Sequence, residues 1–134
     1  MDHSPLVEHL LEQVSARVGD PAPAVYARLF AESPQLEPLF AADTQGSVRG
    51  EMFMRALDTL VDLAAGRPYA PGMIQSERVN HGHLQIDAQT FERFFHHIGA
   101  VFEEALGADW TAETEEAWQE LMDRVGEVIR GSTA

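Results

Sequence analysis

The sequence predicts an all-α protein folded as a single domain over residues 1–134. Apolar residues recur at intervals of three and four along nearly the whole chain, the period of helices with one buried stripe. Proline, glycine, serine and aspartate interrupt that pattern where helices begin and end. No run alternates apolar and polar residues as a half-buried strand would. There is no internal repeat, low-complexity segment or linker.

Ser4 can cap a first helix with Pro5 in its first turn, and Leu6, Val7, Leu10, Leu11, Val14 and Val18 form its stripe up to Gly19. Asp20, Pro21 and Pro23 start a second helix carrying Val25, Tyr26, Leu29 and Phe30. Ser33-Pro34 restarts the chain as a short helical turn reaching Phe40, and the small, polar stretch 41–48 reads as a loop. A long amphipathic helix follows over 49–65, with Met52, Phe53, Ala56, Leu57, Leu60, Val61 and Ala64 inward, until Gly66-Arg67-Pro68 breaks it. A weaker helix over about 70–80 leads to His81. Asp87 caps a helix over 88–106 that is dense in phenylalanine: 91, 94, 95 and 102 share a face with Ile98, Val101, Ala105 and Leu106. Thr111 caps the last helix. Glu113, Glu115 and Glu116 lie near its positive end, and Ala117, Trp118, Leu121, Met122, Val125, Val128 and Ile129 form its buried face. Residues 131–134 read as a frayed tail.

Composition narrows the function. An apolar share of 45% suits a folded domain of this length. The net charge of −13 argues against a nucleic-acid or anionic-membrane partner. The chain has no cysteine, which removes disulfides, thiolate nucleophiles, iron–sulfur clusters and thiolate-ligated haem. Met1-Asp2-His3-Ser4-Pro5 lacks the basic and apolar runs of a signal peptide, and no apolar stretch is long enough for a membrane helix. A cytoplasmic protein is expected. Adjacent His96 and His97 project about 100° apart on a helix and make a poor chelate.

The run from Tyr26 to Phe40, Tyr-Ala-Arg-Leu-Phe-Ala-Glu-Ser-Pro-Gln-Leu-Glu-Pro-Leu-Phe, resembles the second and third helices of bacterial single-domain haemoglobins and of the globin domain of flavohaemoglobins. Arg49-Gly50-Glu51-Met52-Phe53-Met54 resembles the start of that family's distal helix once the loop before it carries a one-residue gap. His81, with Ile86 five and Phe91 ten residues on, has the spacing of the proximal histidine and the helix after it, and residues 107–118 resemble the last interhelical turn and final helix. The likeness extends over about 6–129. Its specificity lies in the ordered set Tyr26, Phe40, His81 and Trp118.

The resemblance implies a globin-like three-over-three helical sandwich around a haem b pocket, with His81 as the iron ligand. It puts Tyr26 on the distal side as a hydrogen-bond donor to a diatomic ligand and Phe40 against the haem plane. Arg49 falls where the family usually has glutamine, either reaching the bound ligand, with Gln45 as its substitute, or pairing with a haem propionate at the rim. Phe53 and Met54 would line the distal side, and Phe91, Phe94 and Ile98 the proximal side. His83 is expected to face solvent, and Met52 or Met54 could in principle offer a thioether to iron. Phe91 stands where flavohaemoglobins carry a tyrosine that supports the proximal histidine, so the second-shell push on His81 is expected to be weaker. The resulting expectation is a protein that binds O2 or another diatomic reversibly, as a monomer or homodimer. It is a ligand binder rather than a dedicated enzyme, with no residue assigned as catalytic. NO dioxygenase or peroxidase activity would be a side reaction fed by an external reductase. A haem-free globin-fold sensor module is the alternative, and fold alone does not separate them.

Overall fold

The structure is a computed structural model that describes residues 3–131. Six α-helices carry the chain: α1 (Ser4–Val18), α2 (Ala22–Glu32), α3 (Ser47–Ala64), α4 (Ala70–Gly82), α5 (Ala88–Leu106) and α6 (Ala112–Gly131). Two 3-10 turns, Pro34–Phe40 and Gly107–Asp109, connect them. No strand occurs among the described residues. Neighbour contacts run α1 to α3 to α4 in one layer and α2 to α5 to α6 in the other. Contacts of α1 with α5, α2 with α3, and α4 with α5 and α6 close one layer on the other. The three-over-three arrangement therefore follows from the observed pairing. None of the described helices is long and apolar enough to cross a membrane.

The helix ends follow local chemistry. Asp20 accepts a hydrogen bond from the Ala22 N–H at 3.0 Å, Asp87 from Thr90 N–H at 2.8 Å, and Thr111 Oγ1 from Thr114 N–H at 3.1 Å, each meeting an otherwise unsatisfied first-turn donor. Three sequence-based boundaries shift. The N-cap of α1 is His3, with Ser4 already helical. Helix α3 starts at Ser47, behind Gly46 in the left-handed region (φ 77°). Helix α4 runs on to Gly82, so His81 lies inside its last turn rather than just beyond it. Val18, expected in the first stripe, is exposed, because the stripe has turned away from the core by the last residue of α1. Gly131 closes α6, and the rest of the expected tail lies outside the described residues.

The core is continuous from Val7, Leu10 and Val14 of α1 to Trp118, Met122 and Ile129 of α6. Its tightest point is the α5–α6 crossing. A Cβ on Gly99 would fall inside the Trp118 indole, so the absent side chain is what lets the two helices approach. Phe102 packs on the same indole with ring centroids 6.0 Å apart. Between α2 and α5, Arg93 donates two hydrogen bonds to the Glu32 carboxylate, each at 3.0 Å, and the buried His97 places Nε2 3.5 Å from the same group. Burial pushes the His97 pKa down and outweighs the pull of Glu32, with Arg93 and Arg28 adding to the depression. The ring is therefore neutral at neutral pH.

Gly99→Ala should lower stability by roughly 1–3 kcal/mol, the usual range for overpacking a well-filled core. Urea unfolding with an unchanged slope and a lower midpoint is the expected result. A midpoint equal to that of the wild type would show that the crossing relaxes freely.

Candidate functional site

Helices α2 to α5 and the first 3-10 turn enclose a cavity of about 260 Å³ with largely apolar walls. Five phenylalanines and one tyrosine build much of this side of the molecule. Tyr26 packs against Phe30, Phe40 and Phe94 with centroids 5.9, 5.6 and 5.4 Å apart. Phe91 packs edge-on against Phe95 at 5.7 Å. The spacing of α5 produces this, since residues 91, 94 and 95 lie on one face.

His81 lines the cavity from the last turn of α4. Its Nδ1 lies 2.7 Å from the Glu77 carbonyl oxygen one turn earlier. A carbonyl can only accept, so Nδ1 carries the proton and Nε2 keeps its lone pair in the neutral ring. The ring packs on Phe91 at 5.1 Å, which further limits its rotation. The chain beyond α4 turns through Gln85, the only non-glycine residue with positive φ (68°) among the described residues. His83 on this turn is exposed.

Tyr26 lines the cavity from α2. It is 2% exposed, and its hydroxyl has no hydrogen-bond partner in the protein. Burial raises the phenol pKa far above its usual value, against the lowering effect of Arg49 and with a further rise from Asp43. The group is therefore a neutral O–H donor at any physiological pH. An unpaired buried hydroxyl is uncommon and points to a partner supplied from within the cavity.

Of the other residues the sequence singled out, Phe40, Phe91 and Phe94 line the cavity. Phe53, Met54, Arg49 and Ile98 do not. Phe53 is 1% and Ile98 0% exposed, both in the packed core. Met54 is 47% exposed on the outer side of α3. Met52 and Ala56 present the cavity face of α3 instead, with Arg55 and Thr59 beside them. The signal was available as the i, i+4, i+7 spacing of 52, 56 and 59. It runs one residue out of step with the core stripe 53, 57, 60 and 64.

Arg49 is held elsewhere. Its Nε donates to Asp43 Oδ2 at 3.1 Å and a terminal nitrogen to the Asp43 carbonyl at 2.8 Å. The same carboxylate accepts the N–H groups of Val48 and Arg49 at 3.1 and 3.0 Å. Asp43 thus caps α3 from four residues before its first helical residue and neutralises the arginine. A buried carboxylate needs such a partner, which is why Arg49 is drawn to the loop rather than into the cavity. Gln45 is exposed. The stretch 41–48, read as a plain loop, is a fastened turn, and aspartate followed by glycine ahead of a helix was the clue.

A haem fits this chemistry: apolar walls, one imidazole with its Nε2 lone pair available, and one buried phenol lacking a partner. Comparison with known proteins bears on the same stretch. A model of the globin family matches residues 23–129. Searches of curated proteins and of solved structures return no significant match.

Burial alone would raise the Asp43 pKa, but the N–H groups of Arg49 and Val48 and the Arg49 guanidinium together hold it below the ordinary carboxylate value. Its contribution to stability is thus complete above about pH 4 and is lost as pH falls through its lower folded value. Carboxyl NMR should show Asp43 titrating below ordinary aspartates, and Arg49→Leu should move its midpoint upward. An unmoved midpoint would mean that the guanidinium does not hold the loop.

Proposed function

Because the chain belongs to the globin family, we propose that it binds haem b in the cavity and reversibly holds O2 or another diatomic ligand there. The observation that carries this reading is His81, whose Nδ1 proton is committed to Glu77 so that Nε2 remains as the ligand nitrogen. When bound, haem would supply an iron centre able to hold a small diatomic ligand, with His81 as the residue that holds the iron.

The chain's own residues do the rest. The Glu77 carbonyl fixes the tautomer and orientation of His81. Phe91 contacts the imidazole ring and offers no hydrogen bond to it, so the ring gains less basicity than a carboxylate or phenol neighbour would give. The Tyr26 O–H donates to the diatomic ligand, satisfying a donor that otherwise has no partner. Phe40 and Phe94 pack on Tyr26 and limit water access to that hydrogen bond, which strengthens it. Arg55, at the cavity edge and bonded to Glu51 at 3.0 Å, is the cation available for a propionate. Phe53 and Ile98 pack in the core behind the cavity wall, Arg49 is held by Asp43, and Met54 faces outward from α3.

The likeness of the Tyr26–Phe40 run to bacterial single-domain haemoglobins supports O2 or NO as ligand. It also supports a cytoplasmic protein that relies on an external reductase when it turns over NO or peroxide. The absorption spectrum of the purified protein is the primary test. A Soret band is expected, and its absence even after haem is added would favour a haem-free module.

His81→Ala should abolish or severely weaken haem retention, whereas His83→Ala should leave it unchanged. An unaltered haem spectrum in His81→Ala would remove the assignment.

Tyr26→Phe deletes only the hydroxyl. Losing one hydrogen bond of about 1.4 kcal/mol should speed O2 release roughly tenfold in stopped-flow measurements. An unchanged rate would place the phenol away from the ligand.

A further inference from the structure

On the premise that the cavity holds haem, we propose that Met52 supplies the second axial ligand to the iron when no exogenous ligand is present, making the resting protein six-coordinate through His81 and Met52. Met52 lines the cavity from α3, while His81 lines it from α4. The other groups on the wall are poorer candidates for that bond, and the second thioether there, Met73, lies on α4 with His81 and so shares its side of the cavity. The Tyr26 phenol could bind iron only as a phenolate, and would have to give up its proton in apolar surroundings where it is 2% exposed. The Thr59 hydroxyl is committed to the Arg55 carbonyl at 2.9 Å, and Asp62 pairs with Arg67 at 2.5 Å. Glu77 lies one turn below His81 on the same helix and so shares its side of the cavity. A thioether needs no deprotonation and suffers no charge-burial penalty in an apolar cavity, and it is a proven iron ligand opposite histidine.

Met52 can also make the adjustment that ligation demands. Its unbranched side chain has three rotatable bonds. The turn of α3 that carries it contains Gly50, where a Cβ would touch nothing, and glycine weakens a helix locally. Asp43 anchors the first turn through the Val48 and Arg49 N–H groups, and none of these bonds involves Met52. Tyr26 remains free to donate to an incoming diatomic once the thioether leaves. The site would therefore bind external ligands by displacement, with apparent affinity reduced by the fraction of protein in which Met52 is detached.

The test uses the full chain, purified and loaded with haem, read by optical and magnetic circular dichroism spectroscopy in ferric and ferrous forms. Low-spin spectra with a sulfur-to-iron charge-transfer band are expected in the wild type. In Met52→Leu, which conserves side-chain volume, the band should vanish and the ferric form become high-spin. If about a tenth of the wild type is detached at equilibrium, CO affinity should rise about tenfold in that variant. Met52→His should restore a low-spin spectrum without the sulfur band, and Met54→Leu should match the wild type. Haem uptake with a high-spin wild-type spectrum, or a low-spin Met52→Leu, would overturn the Met52 assignment while leaving haem binding intact. Failure of the wild type to take up haem at all would overturn both.

Discussion

Keeping an apolar space open inside a close-packed molecule is the constraint on which the rest of this structure depends. Protein interiors ordinarily fill to the density of organic crystals, and flexible aliphatic side chains would collapse into a space of about 260 Å³. Rings with few torsions resist that. Tyr26 braces Phe40 and Phe94 at centroid distances of 5.6 and 5.4 Å, and Phe91 and Phe95 continue the array toward His81. The helices that carry these rings must then be fixed in register, which accounts for the fastenings around the cavity. Asp43 secures the start of α3, Glu77 the ring of His81, and Arg93 with Glu32 the passage from α2 to α5.

These fastenings differ in kind. The Arg93–Glu32 pair is half exposed, and solvent screening leaves it little net weight in stability. Its geometry matters more than its energy, since two parallel hydrogen bonds fix an angle between helices. Asp43 is buried and bonded to two backbone N–H groups as well as to an arginine. Removing any one of those partners would leave the carboxylate under-satisfied. The unpaired Tyr26 hydroxyl is the opposite case, a buried donor left without a protein partner beside the space the other groups maintain.

The fold was readable because its signal is periodic and redundant. Every helix carries its stripe and most carry a recognisable end, so an error of two residues at α3 or α4 does not alter the packing. The cavity was partly readable: periodicity predicts Tyr26, Phe91 and Phe94 to be inward, whereas Phe40 and His81 are reached only through the likeness to bacterial haemoglobins. The wall built by α3 was not, because α3 is inward on two adjacent faces. A rotation of about 100° separates Phe53 in the core from Met52 on the cavity, and composition does not say which apolar face meets which space. The partner of Arg49 was not readable because Asp43 lies in a stretch without periodicity, where side-chain-to-backbone bonding and not a hydrophobic pattern decides the structure.

The Gly99–Trp118 contact makes the molecule mechanically lopsided. Where α5 meets α6 there is no slack: the indole already rests against the backbone. On the other flank of α5 lies the apolar cavity bounded by α3 and α4, whereas the wider space beside Glu32, Arg93 and Gln119 is a polar cleft open to water. Hydrostatic pressure acts on void volume rather than on filled contacts. Compression of the native state should therefore be taken up by α3 and α4 closing on the aromatic array, with the α5–α6 pair serving as the rigid frame against which they move.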